Sequence, residues 1–249
     1  MRRALYIIRQ TAYTLFSFCY FIIAAIELTI QGFYLLTIKG TTDENKLKYH
    51  RLLQRKAHFV INHVPGTSFS YSNTSGETFE TPSVIICNHQ SHLDLMAIMM
   101  LTPRLIILTK NWVWHNPFYG IIIRYADYFP VIETEQMIDN IAEKVKKGYS
   151  VMIFPEGTRS ADCHIQRFHR GAFYLAEKLQ LDIIPVFISG FGKVLPKKSF
   201  HLHPGHMSLE IMNRIHRDAP SQICDYREMT KRLHRIYTAK NNEEVRRHR

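Results

Sequence analysis

The chain has 249 residues, of which 46% are hydrophobic, enough for one α/β domain with an appendage. Its formal net charge is +11, but no nucleic-acid motif or basic-aromatic patch accompanies that charge, so nucleic acid is not an expected partner. The four cysteines are widely spaced and form no Cys-x2-Cys pair, which argues against a zinc-cysteine site and for free thiols in a reducing compartment.

The positive charge is concentrated at the two ends of the chain. Residues 1–63 hold nine Lys/Arg against three Asp/Glu, and residues 221–249 hold eight against four. Basic flanks beside an apolar segment favour attraction to anionic lipid. The composition therefore points to a membrane-associated protein.

Residues 1–40 form the first predicted unit, a membrane-embedded helical segment. No charged residue occurs from Gln10 to Ile26, a run of 17 residues that is at the short limit for crossing a bilayer. Glu27 follows, where a charge near the bilayer centre would be costly. Because Lys/Arg flank both sides, orientation rules give no clear crossing. We expect a helix or helical pair in one leaflet with both flanks cytoplasmic; the alternative is one tilted span.

Residues 41–64 are predicted to form a basic amphipathic helix. Its apolar residues can share one face: Leu47, Leu52, Leu53, Phe59 and Val60. Such a helix can lie on a membrane, or it can be an ordinary surface helix, and the sequence leaves both open.

Residues 65–220 are expected to form the main α/β domain, and its first element is a predicted hairpin. Polar and apolar residues alternate at 68–71 and again at 77–80, around a Ser/Asn/Gly-rich turn at 72–76. We assign no chemistry to this hairpin.

The next stretch joins a predicted strand at 83–87 to a predicted helix at 95–101. His89 and Asp94 lie in the loop between them, at a strand end, where α/β proteins usually bind ligands. An imidazole beside a carboxylate is sufficient for a general base, because the carboxylate orients the ring and stabilises the imidazolium.

Two other roles remain open for this loop. Ser91 and His92 can cap the following helix. Alternatively, His89, His92 and Asp94 have a spacing that would allow them to bind a metal ion.

A second loop, at residues 154–160, follows the apolar run 151–153. It carries Arg159 close to Gly157. Glycine lets backbone N–H groups approach an anion, and arginine grips phosphate or carboxylate through two parallel hydrogen bonds. The pattern indicates a site for an anionic group.

Together, the two loops resemble the glycerolipid acyltransferase family, which includes the 1-acyl-sn-glycerol-3-phosphate acyltransferases. Asn88, His89 and Asp94 match its Asn-His-x4-Asp signature, and residues 154–160 match Phe-Pro-Glu-Gly-Thr-Arg-Ser in full. Residues 183–186, an apolar run with an embedded proline, are similar to a further signature. The resemblance covers roughly residues 80–190. It implies a central, mostly parallel sheet flanked by helices, with an N-terminal membrane-associated helical segment.

A further region of the family is matched in part. Lys110 follows a predicted strand at 105–108, and Pro117-Phe118-Tyr119-Gly120 then leads into a helix. The family next has an Arg that contacts the acceptor phosphate, whereas this chain has Ile132-Glu133. A carboxylate repels a phosphate, so Arg124 or Lys110 is expected to supply the positive charge if the acceptor carries one.

The remaining elements are predicted from periodicity and breakers. Helices are expected at 135–148 and 172–179, and strands at 183–188 and 207–212. The last unit, residues 221–249, is expected to be a helix at 221–240 followed by a frayed basic tail. The sequence does not set the oligomeric state.

The resemblance implies transfer of a fatty acyl group from acyl-CoA or acyl carrier protein to the hydroxyl of a lysolipid such as 1-acylglycerol-3-phosphate, in phospholipid biosynthesis. His89 would deprotonate the hydroxyl and Asp94 would hold His89. The implied acceptor-binding residues include the second loop: Glu156, Gly157, Thr158 and Arg159. No metal or cofactor is implied, and the location would be the cytoplasmic face of the inner membrane.

Three alternatives remain. The first is the same chemistry on another lipid-like acceptor, such as an aminoacyl or aryl-polyene-type lipid, which Glu133 favours. The second is a metal-dependent hydrolase that uses His89, His92 and Asp94. The third is a non-catalytic lipid-binding protein.

Overall fold

The structure is a computed structural model that describes residues 2–116, 120–130, 135–218 and 225–247. Within those residues, seven strands form one sheet in the order β1-β7-β6-β2-β5-β3-β4. The strands are β1 Thr67–Ser72, β2 Ser83–Cys87, β3 Leu105–Thr109, β4 Phe129–Pro130, β5 Ser150–Ile153, β6 Asp182–Ser189 and β7 Gly205–Ile211.

Helices lie between consecutive strands from β2 onward, as crossovers between parallel strands require, whereas the described residues between β1 and β2 contain no helix. The helices are α1 Arg2–Gly32, which continues into a π-helical segment Phe33–Ile38, α2 Asp43–Asn62, α3 Leu93–Met99, α4 Asn111–Trp114, α5 Gly120–Tyr125, α6 Glu135–Lys146, α7 Gly171–Lys178, α8 Phe191–Val194 and α9 Tyr226–Arg247. The helices and strands predicted between residues 83 and 212 are found within two residues of their expected bounds wherever the structure describes them.

The sheet is mostly parallel, which confirms the predicted fold class. Strands β6, β2, β5, β3 and β4 all run in one direction. Only β7 and β1, at one edge, run the opposite way, because β7 pairs antiparallel with β6 and parallel with β1. The carboxyl ends of β2 and β5 therefore lie side by side at one edge of the sheet.

Both faces of the sheet are covered, and β2 shows how its side chains divide between them. Val84 and Ile86 pack on the face covered by α7 and α9. Ile85 and Cys87 pack on the face covered by α2, α3 and part of α1. Because both faces are buried, the strand is apolar throughout instead of alternating with polar residues.

Helix α1 and the π-helical segment form one continuous rod, so of the two predicted forms, a helix or a helical pair, the structure has the single helix. The α-helical part has 31 residues and the π-helical part six, which gives a length of roughly 50 Å. Its inner side is held to the domain by a hydrogen bond from Gln10 to His203 (2.9 Å) and a salt bridge from Glu27 to Lys56 (2.5 Å).

The outer side of α1 is apolar and exposed. Phe16 and Ile23 each expose 63% of their surface, whereas Leu28, on the inner side, exposes 8%. Within the described residues, this helix is the one long and apolar enough to cross a membrane, judged by length and composition. Since most of its surface is not buried, it is not an ordinary core helix.

Helix α2 exists as predicted, but its buried face is not the predicted one. The side chains that face the core are Tyr49, Leu53, Ala57 and Ile61, which recur every four residues. Of the predicted face only Leu53 is buried, and Phe59 is exposed. The helix therefore packs against the domain through a different face from the one expected to lie on a membrane.

The predicted hairpin at 68–80 is also wrong. Residues 67–72 form β1, but they pair in parallel with β7, far along the chain. Residues 77–80 form no strand, and Phe79 has a left-handed backbone (φ 58°) that interrupts an extended run. Helix α9 extends to Arg247, so residues 241–247 are helical and not frayed. Pro117, Glu133 and Cys224 lie outside the described residues.

Candidate active site

The loop after β2 is fixed to the sheet by Asn88. Its side-chain amide donates to the carbonyl of Ile188 on β6, and its side-chain oxygen accepts from the Ile188 N–H, both at 2.9 Å. Asn88 is fully buried. The side chain thus continues the hydrogen bonding between β2 and β6 by one residue, and its polar atoms are paired. Because Asn88 is fixed in this way, the position of the next residue, His89, is fixed as well.

His89 and Asp94 are in direct contact. The Nδ1 atom of His89 lies 2.8 Å from Oδ2 of Asp94. The same oxygen accepts from the backbone N–H groups of Gln90 (2.6 Å) and Ser91 (2.7 Å). Burial raises the pKa of Asp94, and these donated hydrogen bonds oppose the rise. A carboxylate on Nδ1 holds the proton there and leaves Nε2 of His89 as the basic atom.

Asp94 is inaccessible to solvent, while the imidazole of His89 is partly open. On one side the ring of His89 stacks on Phe154, with centroids 3.9 Å apart and planes 14° from parallel. Phe154 belongs to the second predicted loop. Its ring restricts rotation of the imidazole, so two neighbours fix the ring: a carboxylate at its edge and an aromatic ring at its face.

Glu156 joins the two loops. Its Oε1 accepts from the backbone N–H of His89 (2.9 Å), and its Oε2 accepts from the N–H of Gln166 (3.1 Å). Burial raises the pKa of Glu156 to about 7, although both N–H groups lower it. A second link runs from the Ser160 N–H to the His89 carbonyl (2.7 Å). Glu156 therefore braces the backbone at His89, and its carboxylate oxygens are already engaged.

The turn at Gly157 places the next two predicted residues at the surface of the loop. Gly157 has a left-handed backbone (φ 64°), which favours glycine. Its own N–H is used by the turn, since it donates to the carbonyl of Phe154 (3.1 Å). Thr158 is half-buried, and its N–H has no acceptor within the described part of the chain. Of these two backbone donors, the Thr158 N–H is the one that the turn leaves unused.

Arg159 lies near the His89 loop. The pKa of His92 is lowered mainly by partial burial of its ring, and further by the nearby guanidinium of Arg159 and by His89. The His92 side chain as a whole remains exposed. Arg159 therefore supplies positive charge beside the His89 loop.

Lys110 and Arg124 are not tied to this cluster. Lys110 follows β3, which is separated from β2 by β5, and its side chain is exposed at the same edge of the sheet. Arg124 donates to the backbone carbonyl of Trp114 (2.9 Å) and so links α5 to α4. Of the predicted binding residues, these two are the least directly connected to His89.

Sequence reasoning missed the segment after β6, which closes the site on its other side. The hydroxyl of Ser91 donates to the carbonyl of Leu195 (2.9 Å), which holds the segment against the His89 loop. Lys197, half-buried, lies close enough to Glu156 to lower the pKa of that carboxyl. The available signal was topological: β6 is parallel to β2, so the residues after it must emerge at the same edge.

The metal-site alternative has no support from the geometry. In the part of the chain that the structure describes, no three His, Cys, Asp or Glu side chains are grouped so as to hold a metal ion. Asp94 uses one oxygen on His89 and two backbone N–H groups, and the ring of His92 lies toward Arg159.

Comparison with known proteins was made by sequence and by structure. A family model described as Acyltransferase matches residues 54–189. The chloroplast 1-acyl-sn-glycerol-3-phosphate acyltransferase LPAT1 of Arabidopsis thaliana is 31% identical over 152 residues, which are 59% of this chain and 43% of the plant protein. The human 1-acyl-sn-glycerol-3-phosphate acyltransferase beta is 30% identical over 141 residues, 54% of this chain and 51% of that protein.

The chain thus spans about half the length of these curated relatives. Among solved structures, it is similar to the 1-acyl-sn-glycerophosphate acyltransferase PlsC of Thermotoga maritima. The TM-score is 0.76 at 20% identity, with 98% of each chain covered. At that identity the likeness supports the fold.

Proposed function

Because the chain belongs to the acyltransferase family, as its two signature loops predicted, we propose that it transfers a fatty acyl group from a thioester to the free hydroxyl of 1-acylglycerol-3-phosphate. The observation that carries the proposal is the pairing of His89 with the buried Asp94 at 2.8 Å, at the end of β2. The acceptor comes from the names of the curated relatives.

In the proposed step, the acceptor hydroxyl attacks the carbonyl carbon of the thioester while Nε2 of His89 takes its proton. A free hydroxyl has too high a pKa to ionise beforehand, so proton removal and attack occur together. The oxyanion of the tetrahedral intermediate accepts a hydrogen bond from the Thr158 N–H. The intermediate collapses to the ester, and the departing sulfur receives the proton from His89.

The acceptor phosphate is held by the cations nearest the His89 loop. Arg159 influences His92, and Lys197 influences Glu156, so both are candidates to bind the phosphate. Lys110 adds an exposed positive charge at the same edge of the sheet, whereas Arg124 is bonded to the carbonyl of Trp114. This arrangement supplies a phosphate site without an arginine at position 133, where the chain has Glu133.

We also propose that the protein acts at the cytoplasmic face of the inner membrane, with the donor carried by coenzyme A or acyl carrier protein. The exposed apolar side of α1, opposite its docked side, supports burial in one leaflet with the helix lying along the surface. A perpendicular crossing fits less well, because α1 is held to the domain at two separate points, Gln10 and Glu27, and is longer than the roughly 30 Å apolar core of a bilayer.

The test is an acyl-transfer assay with membranes that contain the full chain. Both donors are offered against lysophosphatidic acid and a panel of other lysolipids, and the assay is repeated with His89→Ala. Transfer to lysophosphatidic acid that is lost in the variant supports the proposal. Transfer to other acceptors alone keeps the chemistry and favours the second candidate, an acceptor without a phosphate, for which Glu133 is the motivating residue. Absence of any His89-dependent transfer would refute both.

A further inference from the structure

A groove lined by cations lies on the face of the domain that faces away from α1. It runs between α9 and the segment leading into α7, with a volume of about 770 Å³. Its charged lining, here named the basic groove, consists of Arg167, Arg170, Arg227, Lys231 and Arg235, with His234 beside them. No step of the proposed reaction uses these residues.

The five cations are exposed, and of these Arg227 donates to the hydroxyl of its neighbour Tyr226 (3.1 Å). None of them forms an ion pair within the described part of the chain. Arg227, Lys231 and Arg235 recur every four residues on α9, so they form one stripe that extends about 12 Å along the helix. Asp225 and Glu228 stand near the Arg227 end, where Asp225 caps the helix by accepting the Glu228 N–H.

The other end of the basic groove approaches the candidate active site. His234 of α9 packs edge-on against Phe168, with ring centroids 5.2 Å apart. Arg167 adjoins Gln166, whose N–H is bonded to Glu156 at 3.1 Å. The groove therefore begins one residue from Gln166, the partner of the carboxylate that braces His89. A flexible arm delivered from this end must pass around the edge of the sheet to reach His89.

The position of the basic groove argues against a membrane as its occupant. Helices α7 and α9 cover the sheet face that contains Val84 and Ile86. The docked part of α1 belongs to the opposite face, with Leu28 and Leu36 in the other core cluster. A bilayer that receives the apolar side of α1 is thus on the far side of the sheet, and the groove faces the aqueous phase.

We infer, on the basis of the proposed function, that the basic groove docks the acidic surface of an acyl carrier protein and so delivers the thioester arm to His89. Acyl carrier proteins are small, strongly acidic helical proteins, and a regular stripe of exposed cations complements such a surface. A nucleotide carrier fits less well, because small-molecule sites enclose most of their ligand, whereas all five cations here are solvent-exposed.

The experiment uses the full chain in detergent or membranes and the double variant Lys231→Glu/Arg235→Glu. The matched control is Arg246→Glu/Arg247→Glu, which makes the same charge change on exposed residues of the same helix outside the groove. Binding of a fluorescent acyl carrier protein is followed by anisotropy, without turnover. KM and kcat are then measured with hexadecanoyl-acyl carrier protein and with hexadecanoyl-CoA.

We expect the groove variant to weaken carrier-protein binding and to raise KM for the acyl carrier protein donor about tenfold. Its kcat, its KM for hexadecanoyl-CoA and both constants of the control variant should stay unchanged. An equal rise with both donors, no change with either, or loss of binding to anionic vesicles instead would overturn the inference. If no donor supports transfer, the proposed function fails, while the anisotropy measurement still decides the docking surface.

Discussion

Two regions of this protein invert the usual arrangement of polar and apolar groups, and they do so in opposite senses. At the adjacent ends of β2 and β5, polar side chains are buried: Asn88, Asp94 and Glu156. Along α1, large apolar side chains such as Phe16 and Ile23 are exposed. The buried polar groups find partners inside the domain, mostly backbone N–H and C=O groups. The exposed apolar groups find none there, so their partner is outside the molecule.

The two regions therefore differ in the interactions that stabilise them. Burying a polar group is costly unless it is hydrogen-bonded, so the site depends on the geometry of its own loops. Exposing apolar surface is tolerated only when another phase covers it, so α1 depends on its surroundings. Substitutions at the site should therefore change chemistry or folding, and substitutions on the outer side of α1 should change neither.

The largest expected effect comes from removing the proposed general base, His89, from the buried polar site. We expect His89→Ala to lower kcat about a thousandfold, in line with general-base catalysis, and also to lose some stability, because the buried Asp94 loses its imidazole partner. The measurement is steady-state transfer on purified protein. His92→Ala serves as the control and should retain most of the activity. Equal loss in both variants would instead favour the metal-dependent alternative.

The next largest effect is the pH dependence contributed by Glu156. Its pKa is about 7 in the fold, against 4.5 for the unperturbed carboxyl, so the folded state keeps a proton that the unfolded chain releases between those pH values. Stability from this group is therefore greatest below pH 4.5 and falls as the pH rises to about 7, by on the order of 3 kcal/mol in total.

The measurement compares unfolding free energies of the wild type and Glu156→Gln from pH 4.5 to pH 8. The unfolding free energy of the wild type should fall relative to that of Glu156→Gln as the pH rises, because the glutamine has no proton to release. Glu80→Gln, at an exposed position, is the control. Parallel pH profiles for wild type and Glu156→Gln would show that the fold does not raise the pKa of the Glu156 carboxyl.

A smaller effect is expected from removing the two hydrogen bonds that the Asn88 side chain makes to Ile188 on β6. Asn88→Ala removes two buried hydrogen bonds and leaves the N–H and C=O of Ile188 unsatisfied. We expect a loss of about 2 kcal/mol in unfolding free energy and a fall in kcat, because His89 loses its anchor. Chemical denaturation measures the first. Asn62→Ala, whose bond to His58 is exposed, should stay within about 0.5 kcal/mol of wild type.

The smallest effect on the fold is expected on the outer side of α1. Phe16→Ser/Ile23→Ser should leave the unfolding free energy in detergent within about 0.5 kcal/mol of wild type, yet weaken binding to lipid vesicles at least tenfold, since each side chain loses apolar contact with lipid. Leu28→Ser, on the docked side, should do the reverse. Equal destabilisation by both would mean that the outer side is covered by protein.

The pattern of burial also explains which elements could be predicted from the sequence. Strands β2, β3, β5 and β6 are buried on both faces, so each reads as an apolar run, and the motif residues follow them directly. The loop residues His89, Asp94 and Glu156 could be singled out for the same reason. The sequence pattern was sufficient wherever an element is determined by residues that are close together in the chain.

The sequence-based predictions were wrong where the structure depends on contacts between residues far apart in the chain. The alternation at 68–71 predicts a strand correctly but not its partner, β7, which begins more than 130 residues later. In α2, Tyr49 and Ala57 face the core and Phe59 does not, because the neighbouring α3 and α1 select the face. Lys197 was missed because its proximity to Glu156 depends on how β6 lies beside β2.

The docking of α1 has a consequence for the order in which the protein is assembled. Gln10 bonds His203, 193 residues further along the chain, and the Leu202 N–H bonds Thr14 across 188 residues. On the ribosome, α1 emerges long before these partners exist. We expect its apolar surface to meet a lipid bilayer first, so that the domain folds later onto a helix that the membrane already holds.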